Sequence, residues 1–209
     1  MFVNQDSLKT ILSIHLNENK EALYYDKAKH SLYNELNIPF LKLPVSWYDI
    51  PDILTYKNWK DIKICSNYLV AIITTGQSVL GKVENNALIK HKVIRKYMVR
   101  KKQGVSQLKY LKTKGKSRLG SRIRLRNSIL FFEEINKVIY SWYDGSLCRI
   151  LFFIPKNLIN MWFFSGVKLP FDRKDNRLIR LPYNNIRPNY EYLKRVLNYA
   201  QQGYYYKDT

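Results

Sequence analysis

The sequence predicts an α/β fold, with a mixed sheet that opens on an antiparallel three-strand meander and is covered by helices. Three observations predict it. Apolar runs between Tyr68 and Met98 are separated only by short turn sequences. A helical spacing of apolar residues then follows from about Ser121. A second apolar run, Arg149 to Ile154, comes after that helix and can return to the same sheet.

The elements follow in order. Residues 1–60 read as a mainly helical N-terminal extension, and residues 61–209 as the principal domain. Asn17 or Asn19 is placed to cap a helix through Glu21, Ala22, Leu23 and Tyr24. Pro39, Pro44 and Pro51 then interrupt regular structure. Tyr68–Ile73 is a nearly continuous apolar run ending near Gly76, as expected of a buried strand. Ser78–Val83 forms the second strand across the turn at Gly76-Gln77, and Ala87–Met98 forms the third after Asn85-Asn86. A loop of about twenty residues from Arg100 to Ser121 exceeds the ordinary length of a connection, a property of functional or disordered segments. The helix beyond it presents Leu125, Ile129, Phe132, Ile135 or Asn136, and Ile139 on one face. Arg149–Ile154 is a buried strand. Asn160–Phe164 is read as another, and Arg177–Leu181 as an edge strand stopped by Pro182. A last helix spans about Pro188 to Gln201, with Tyr192, Val196 and Tyr199 on one side.

Composition narrows the function. The formal net charge of +20 calls for a polyanionic partner, and 46% hydrophobic residues are enough for a packed core. Cys65 and Cys148 have no metal-ligand spacing and read as two buried thiols of a reducing compartment. The N-terminus lacks the basic and apolar regions of a secretory signal, and no apolar run approaches the length of a membrane span. A cytoplasmic protein without a membrane partner is therefore expected. His15, His30 and His91 are isolated, Asp49 and Asp52 lie among prolines, and Glu133-Glu134 diverge on a helix. No metal site and no small-molecule cofactor is expected from this pattern, and no phosphate-loop, dinucleotide or serine-hydrolase motif occurs.

The charge is concentrated. From Lys90 to Arg126 there is no Asp or Glu, while Lys90, Lys92, Arg95, Lys96, Arg100, Lys101, Lys102, Lys109, Lys112, Lys114, Lys116, Arg118, Arg122, Arg124 and Arg126 are basic. A solvated surface normally mixes signs, so this block points to phosphates. Tyr97 and Tyr110 lie within it and could stack on unpaired bases, although packing is the commoner role of a lone tyrosine. Inside the long loop stands Gln103-Gly104-Val105-Ser106-Gln107. A glutamine amide does not titrate, but it can orient a water or a hydroxyl, and loop N–H groups can stabilise a developing oxyanion.

The stretch His91 to Gln107 resembles the signature of the Vms-like release factor (VLRF) family. His91-Lys92, Tyr97, Val99-Arg100, Lys102, Gly104 and Gln107 match that signature at its spacing. The resemblance extends over residues 60–200: to the strands from Tyr68 to Val83, the helix from Gly120 to Ile139, and the closing segment from Arg177 to Leu197. It implies a short, stand-alone bacterial-type member. It also implies a release-factor-like catalytic domain over residues 61–209, with a fold like the ribonuclease H-like central domain of eukaryotic class-1 release factors. The implied activity is peptidyl-tRNA hydrolysis or tRNA endonuclease cleavage at the CCA end, in ribosome rescue and quality control. The implied partners are peptidyl-tRNA and the large ribosomal subunit. Gln107 is then the catalytic residue, Arg100 and Lys102 hold phosphates, and Gly104 lets the loop turn. His91, Lys92, Tyr97, Lys101, Ser106, Lys109, Lys112, Lys114, Lys116, Arg118, Arg122 and Arg124 complete the expected RNA-binding set. Two departures stand out. Val105 is a stiff residue beside the turn, and Arg126 and Ser128 occupy places where the family carries Tyr and Glu, while Arg124 and Asn127 remain.

Overall fold

The computed structural model describes residues 1–98, 116–182 and 187–206, with the side chains of residues 19 and 116–124 left aside. The chain divides into two compact units, one of Met1–Ser66 with Lys194–Thr209 and one of Asn67–Leu193.

The first unit is built mostly of strands, which corrects the mainly helical expectation for residues 1–60. Its strands are β1 (Phe2–Val3), β2 (Leu23–Asp26), β3 (Ser31–Tyr33), β4 (Pro39–Lys42), β5 (Trp47–Tyr48), β6 (Ile53–Leu54), β7 (Lys63–Ile64) and, from the C-terminus, β13 (Gly203–Tyr205). Six of them form a sheet in the order β1-β13-β4-β3-β2-β6, while β5 and β7 pair separately. Helix α1 (Gln5–Ile14) is capped by Asn4, whose side chain accepts the Ser7 N–H at 2.9 Å. Leu8, Leu12 and Leu16, spaced by four, lie on one face and are fully buried. They pack with Leu23, Leu32, Leu41, Trp47 and Leu54. The helix expected through Glu21–Tyr24 is absent. The helical stripe ends at Leu16, Lys20 turns the chain in the left-handed region with φ 55°, and Leu23 and Tyr24 begin β2.

The second unit carries the predicted meander. Strands β8 (Tyr68–Thr74), β9 (Gln77–Glu84) and β10 (Ala87–Arg95) pair antiparallel in sequence. The β9–β10 turn uses Asn85 and Asn86 at φ 49° and 63°, the left-handed pair required by a tight two-residue hairpin. Helix α2 (Lys116–Trp142) follows. It leads to β11 (Arg149–Phe153), which pairs parallel to β8, and β12 (Leu178–Arg180) pairs parallel to β11 at the edge. The sheet order is β10-β9-β8-β11-β12.

Both faces of the central strands β8, β9 and β11 are buried, as their continuous apolar runs require. On one face Phe131, Phe132, Ile135 and Ile139 of α2 pack on Leu69, Ala71, Ile73, Leu80, Ile94, Ile150 and Phe152. The opposite face carries Tyr68, Val70, Ile72, Val79, Val83, Leu151 and Phe153, all buried. Helix α4 (Tyr190–Gln201) brings Leu193 against Gly81 on this face, and a β-carbon at Gly81 would lie 3.0 Å from Leu193 Cδ1. That approach accounts for glycine inside a strand.

Three expectations for this unit need correction. The helix begins at Lys116, five residues before the expected Ser121, and only its C-terminal part is core, since Leu125 and Ile129 are exposed. Asn160–Phe164 is not a strand. Helix α3 (Ile159–Phe163) occupies that place, with Trp162 fully buried and Phe164 exposed. An apolar run this short carries no decisive period. Buried Asn136 holds the segment in place by donating to the Trp162 and Val167 carbonyls at 3.0 and 2.7 Å. Third, Cys148, like Cys65 of the first unit, is not a free thiol. Among the described residues, no helix is long and apolar enough to cross a membrane.

Candidate nucleic-acid interface

Strand β10 stands at the edge of its sheet, and its sequence is suited to that place. Lys90, His91, Lys92 and Arg95 are exposed along it, and charge on an edge discourages pairing with another strand. Side chains alternate across the strand. Ile94 enters the core beneath α2, so Lys90 and Lys92 share the α2 side. His91, Val93 and Arg95 point to the opposite side. There the His91 ring stacks on Tyr190 with centroids 4.6 Å apart, and Val93, Arg95, Asn189, Tyr190 and Glu191 line an open cleft. Of the predicted set, Lys92 and His91 thus stand on opposite sides of the edge strand, and Tyr97 lies just beyond its end.

The strand's exit is held in place. The Lys96 N–H donates to the Gly76 carbonyl at 2.9 Å. Lys96 Nζ pairs with Glu134 of α2 at 3.0 Å. Asn127 Nδ2, also on α2, donates to the Tyr97 carbonyl at 3.0 Å. Tyr97 itself is exposed, while Met98 packs against the core. Lys96 thus differs from its neighbours in the basic block, because a carboxylate already neutralises it. Sequence reading missed Asn127 and Glu134 as partners of this exit. Their seven-residue separation, two turns on one helix face, was the available signal.

Lys116, Arg118, Arg122 and Arg124 fall on the first turns of α2, where only the backbone is described. Arg100, Lys101, Lys102, Gly104, Ser106, Gln107, Lys109, Lys112 and Lys114 lie outside the described residues.

The residues set aside as structural have ordinary partners. His30 bonds the Tyr25 hydroxyl at 2.6 Å and the Pro44 carbonyl at 2.9 Å. Asp49 pairs with Lys63 at 2.8 Å. Lys82 is nearly buried and is held between Asp144 at 2.5 Å and Glu84 at 2.7 Å. These carboxylates raise the Lys82 pKa, Asp144 foremost, and the Lys82 hydrogen bond lowers that of Asp144 to about 2. Among the described residues, no group of three His, Cys, Asp or Glu side chains is placed to hold a metal ion.

The second unit is thus a mixed-sheet α/β domain with a basic edge strand and a helix that begins in the basic block. Residues 68–207 match the model of the bVLRF1 family, the Bacteroidetes VLRF1 release factor, and the chain belongs to that family. The match begins at the first residue of β8. The Vms-like release factor family expected from His91–Gln107 is the one found. The mouse tRNA endonuclease ANKZF1 is 26% identical over 136 residues, which is 63% of this chain and 18% of that protein. The chain therefore spans under a fifth of that relative's length. Among solved structures, the Vms1 mitochondrial localization core aligns with a TM-score of 0.48 and 11% identity, over 98% of this chain and 85% of that one.

Proposed function

We propose that this protein frees stalled nascent chains by cleavage at the acceptor end of peptidyl-tRNA on the large ribosomal subunit, with Gln107 as the catalytic residue. The observation that carries the reading is the release-factor family match over residues 68–207, a span within which Gly104 and Gln107 lie. The likeness to mouse tRNA endonuclease ANKZF1 supports chemistry on tRNA. The acid-free run from Lys90 to Arg126 supplies the cations that a tRNA end requires.

The chemistry follows from what an amide can do. Gln107 cannot take up a proton at neutral pH, so it acts by orientation. In ester hydrolysis its carbonyl positions a water against the peptidyl ester, the ester C–O bond breaks, and the tRNA 3′-hydroxyl leaves. In the endonuclease route it positions a ribose 2′-hydroxyl against the adjacent phosphate. That oxygen displaces the 5′-oxygen of the next nucleotide and leaves a cyclic phosphate. Loop N–H groups and Arg100 and Lys102 stabilise the anionic transition state in either case. Neither route as drawn calls on a metal or a cofactor. In this reading residues 61–209 form the release-factor-like catalytic domain, with the fold of the eukaryotic release-factor central domain.

Val105 and Ser128 favour a second reading, a ribosome- or RNA-binding factor without chemistry. One experiment separates the two. Large subunits carrying labelled peptidyl-tRNA are incubated with the protein or with Gln107→Ala. The expected outcome is release by the parent chain, a loss of at least about a hundredfold in Gln107→Ala, and unchanged cosedimentation of both. Cosedimentation without release by the parent chain would leave the binding reading standing.

A further inference from the structure

We infer that the cleft between β10 and the first turn of α4 binds an unpaired nucleotide of single-stranded RNA. It is lined by Val93, Arg95, Asn189, Tyr190 and Glu191, and its volume is about 570 Å³. Clefts that take small organic ligands run from about 300 to 1,000 Å³, so one nucleotide fits. All five residues lie in the unit Asn67–Leu193, which carries 25 Lys and Arg against 7 Asp and Glu. Such an excess draws anionic ligands to the unit, and Arg95 itself belongs to the acid-free run that begins at Lys90. The inference goes beyond the reading of Gln107, since binding in this cleft needs no cleavage.

The lining has the parts that a nucleotide needs. The Tyr190 ring lies against His91 with centroids 4.6 Å apart and planes inclined by 38°. That contact orders the Tyr190 ring before a ligand arrives, and an ordered aromatic surface is what an unpaired base stacks on. Val93 stands between His91 and Arg95 on the same side of the strand and adds apolar surface. Arg95 is exposed there and offers its guanidinium to a phosphate. Asn189 accepts the Tyr192 N–H through Oδ1 at 2.7 Å, which fixes its side chain and makes Nδ2 the donor end. Glu191 supplies an acceptor, so groups of both kinds are present for a base edge. A site for a bare anion gains nothing from a carboxylate in its lining. A nucleotide accommodates Arg95 through its phosphate and Glu191 through its base. In a duplex the bases are stacked and paired inside, so the cleft selects single strands.

The test measures binding of the full chain to a short fluorescent single-stranded RNA of mixed sequence, and to its duplex, over a series of salt concentrations. Tyr190→Ala should weaken single-strand binding roughly five- to a hundredfold. The salt slope and duplex binding should stay as in the parent, and Tyr190→Phe should bind like the parent. Arg95→Gln should make the slope of log K against log salt shallower by about 0.7. On the parent chain, RNA substituted with iodouridine should crosslink under ultraviolet light to Tyr190 or His91. Parent-like single-strand binding by Tyr190→Ala would overturn the inference, as would crosslinks confined to other residues. Competition by polyglutamate as strong as by the RNA would also overturn it, leaving a general anion site. If Tyr190→Ala loses single-strand and duplex binding alike through misfolding, Tyr190→Phe and the parent-chain crosslink decide. Peptide release is not read in this experiment, so its outcome is separate from the role of Gln107.

Discussion

Lys82 shows how a single residue ties this fold to pH. Its side chain is only 9% exposed, so the charge persists because Asp144 and Glu84 both reach it. Asp144 gains from Lys82 first and from the Ser146 hydroxyl and amide next, which together hold its pKa near 2. A carboxylate with a depressed pKa stabilises the fold above its unfolded value, near 4, and that contribution is lost as pH falls toward 2. Lys82 has a raised pKa, so its contribution is complete below the unfolded value near 10.5 and is lost as pH rises through the folded one. Asp144→Asn should therefore flatten the acid limb of stability between about pH 4 and 2, measured by urea unfolding at a series of pH values. An acid limb identical to the parent's would remove Asp144 from this role. The pair was hidden in the sequence, because Lys82 and Asp144 are brought together by the long helix between β10 and β11 rather than by spacing. The family likeness was legible for the opposite reason, since the residues that carry it, His91 to Gln107, are contiguous.

At the scale of elements, the hairpin turns decide more than the strands do. Gly76 has φ 76°, and a β-carbon there would lie 2.5 Å from the Lys96 carbonyl oxygen. Gly76→Ala should cost roughly 1–3 kcal/mol, read as an earlier denaturant midpoint at unchanged slope. A change under about 0.5 kcal/mol would show that the Lys96 backbone yields without cost. The meander was legible because Tyr68–Ile73 is apolar throughout and the turn residues Gly76 and Asn85-Asn86 bracket β9. The last helix was legible within two residues of its start. Two features were not. The run at Trp162 was too short to display a period, and its helical state depends on Asn136, which reaches it from a distant element. The first unit was misread because its strands are two to four residues long and are completed by β13 from the other end of the chain. Local pattern does not carry that pairing.

For the molecule as a whole, the charge of +20 is the dominant physical fact. Its placement matters more than its sum, since Lys96 and Lys82 are already neutralised by partners while Lys90 and Lys92 stand exposed on the edge strand. Replacing Lys90 and Lys92 together by Ala should weaken RNA binding and make the slope of log K against log salt shallower by roughly one to two. An unchanged slope would exclude both as phosphate contacts. The central claim concerns chemistry at the tRNA end, and the most direct measurement follows both products of one reaction. Peptidyl-tRNA labelled on the peptide and on the RNA is bound to large subunits, treated with the full chain, and resolved at single-nucleotide resolution. The account predicts freed peptide, with tRNA either intact for ester hydrolysis or shortened at its 3′ end for the endonuclease route. Peptidyl-tRNA that stays whole on subunits saturated with the protein would contradict it.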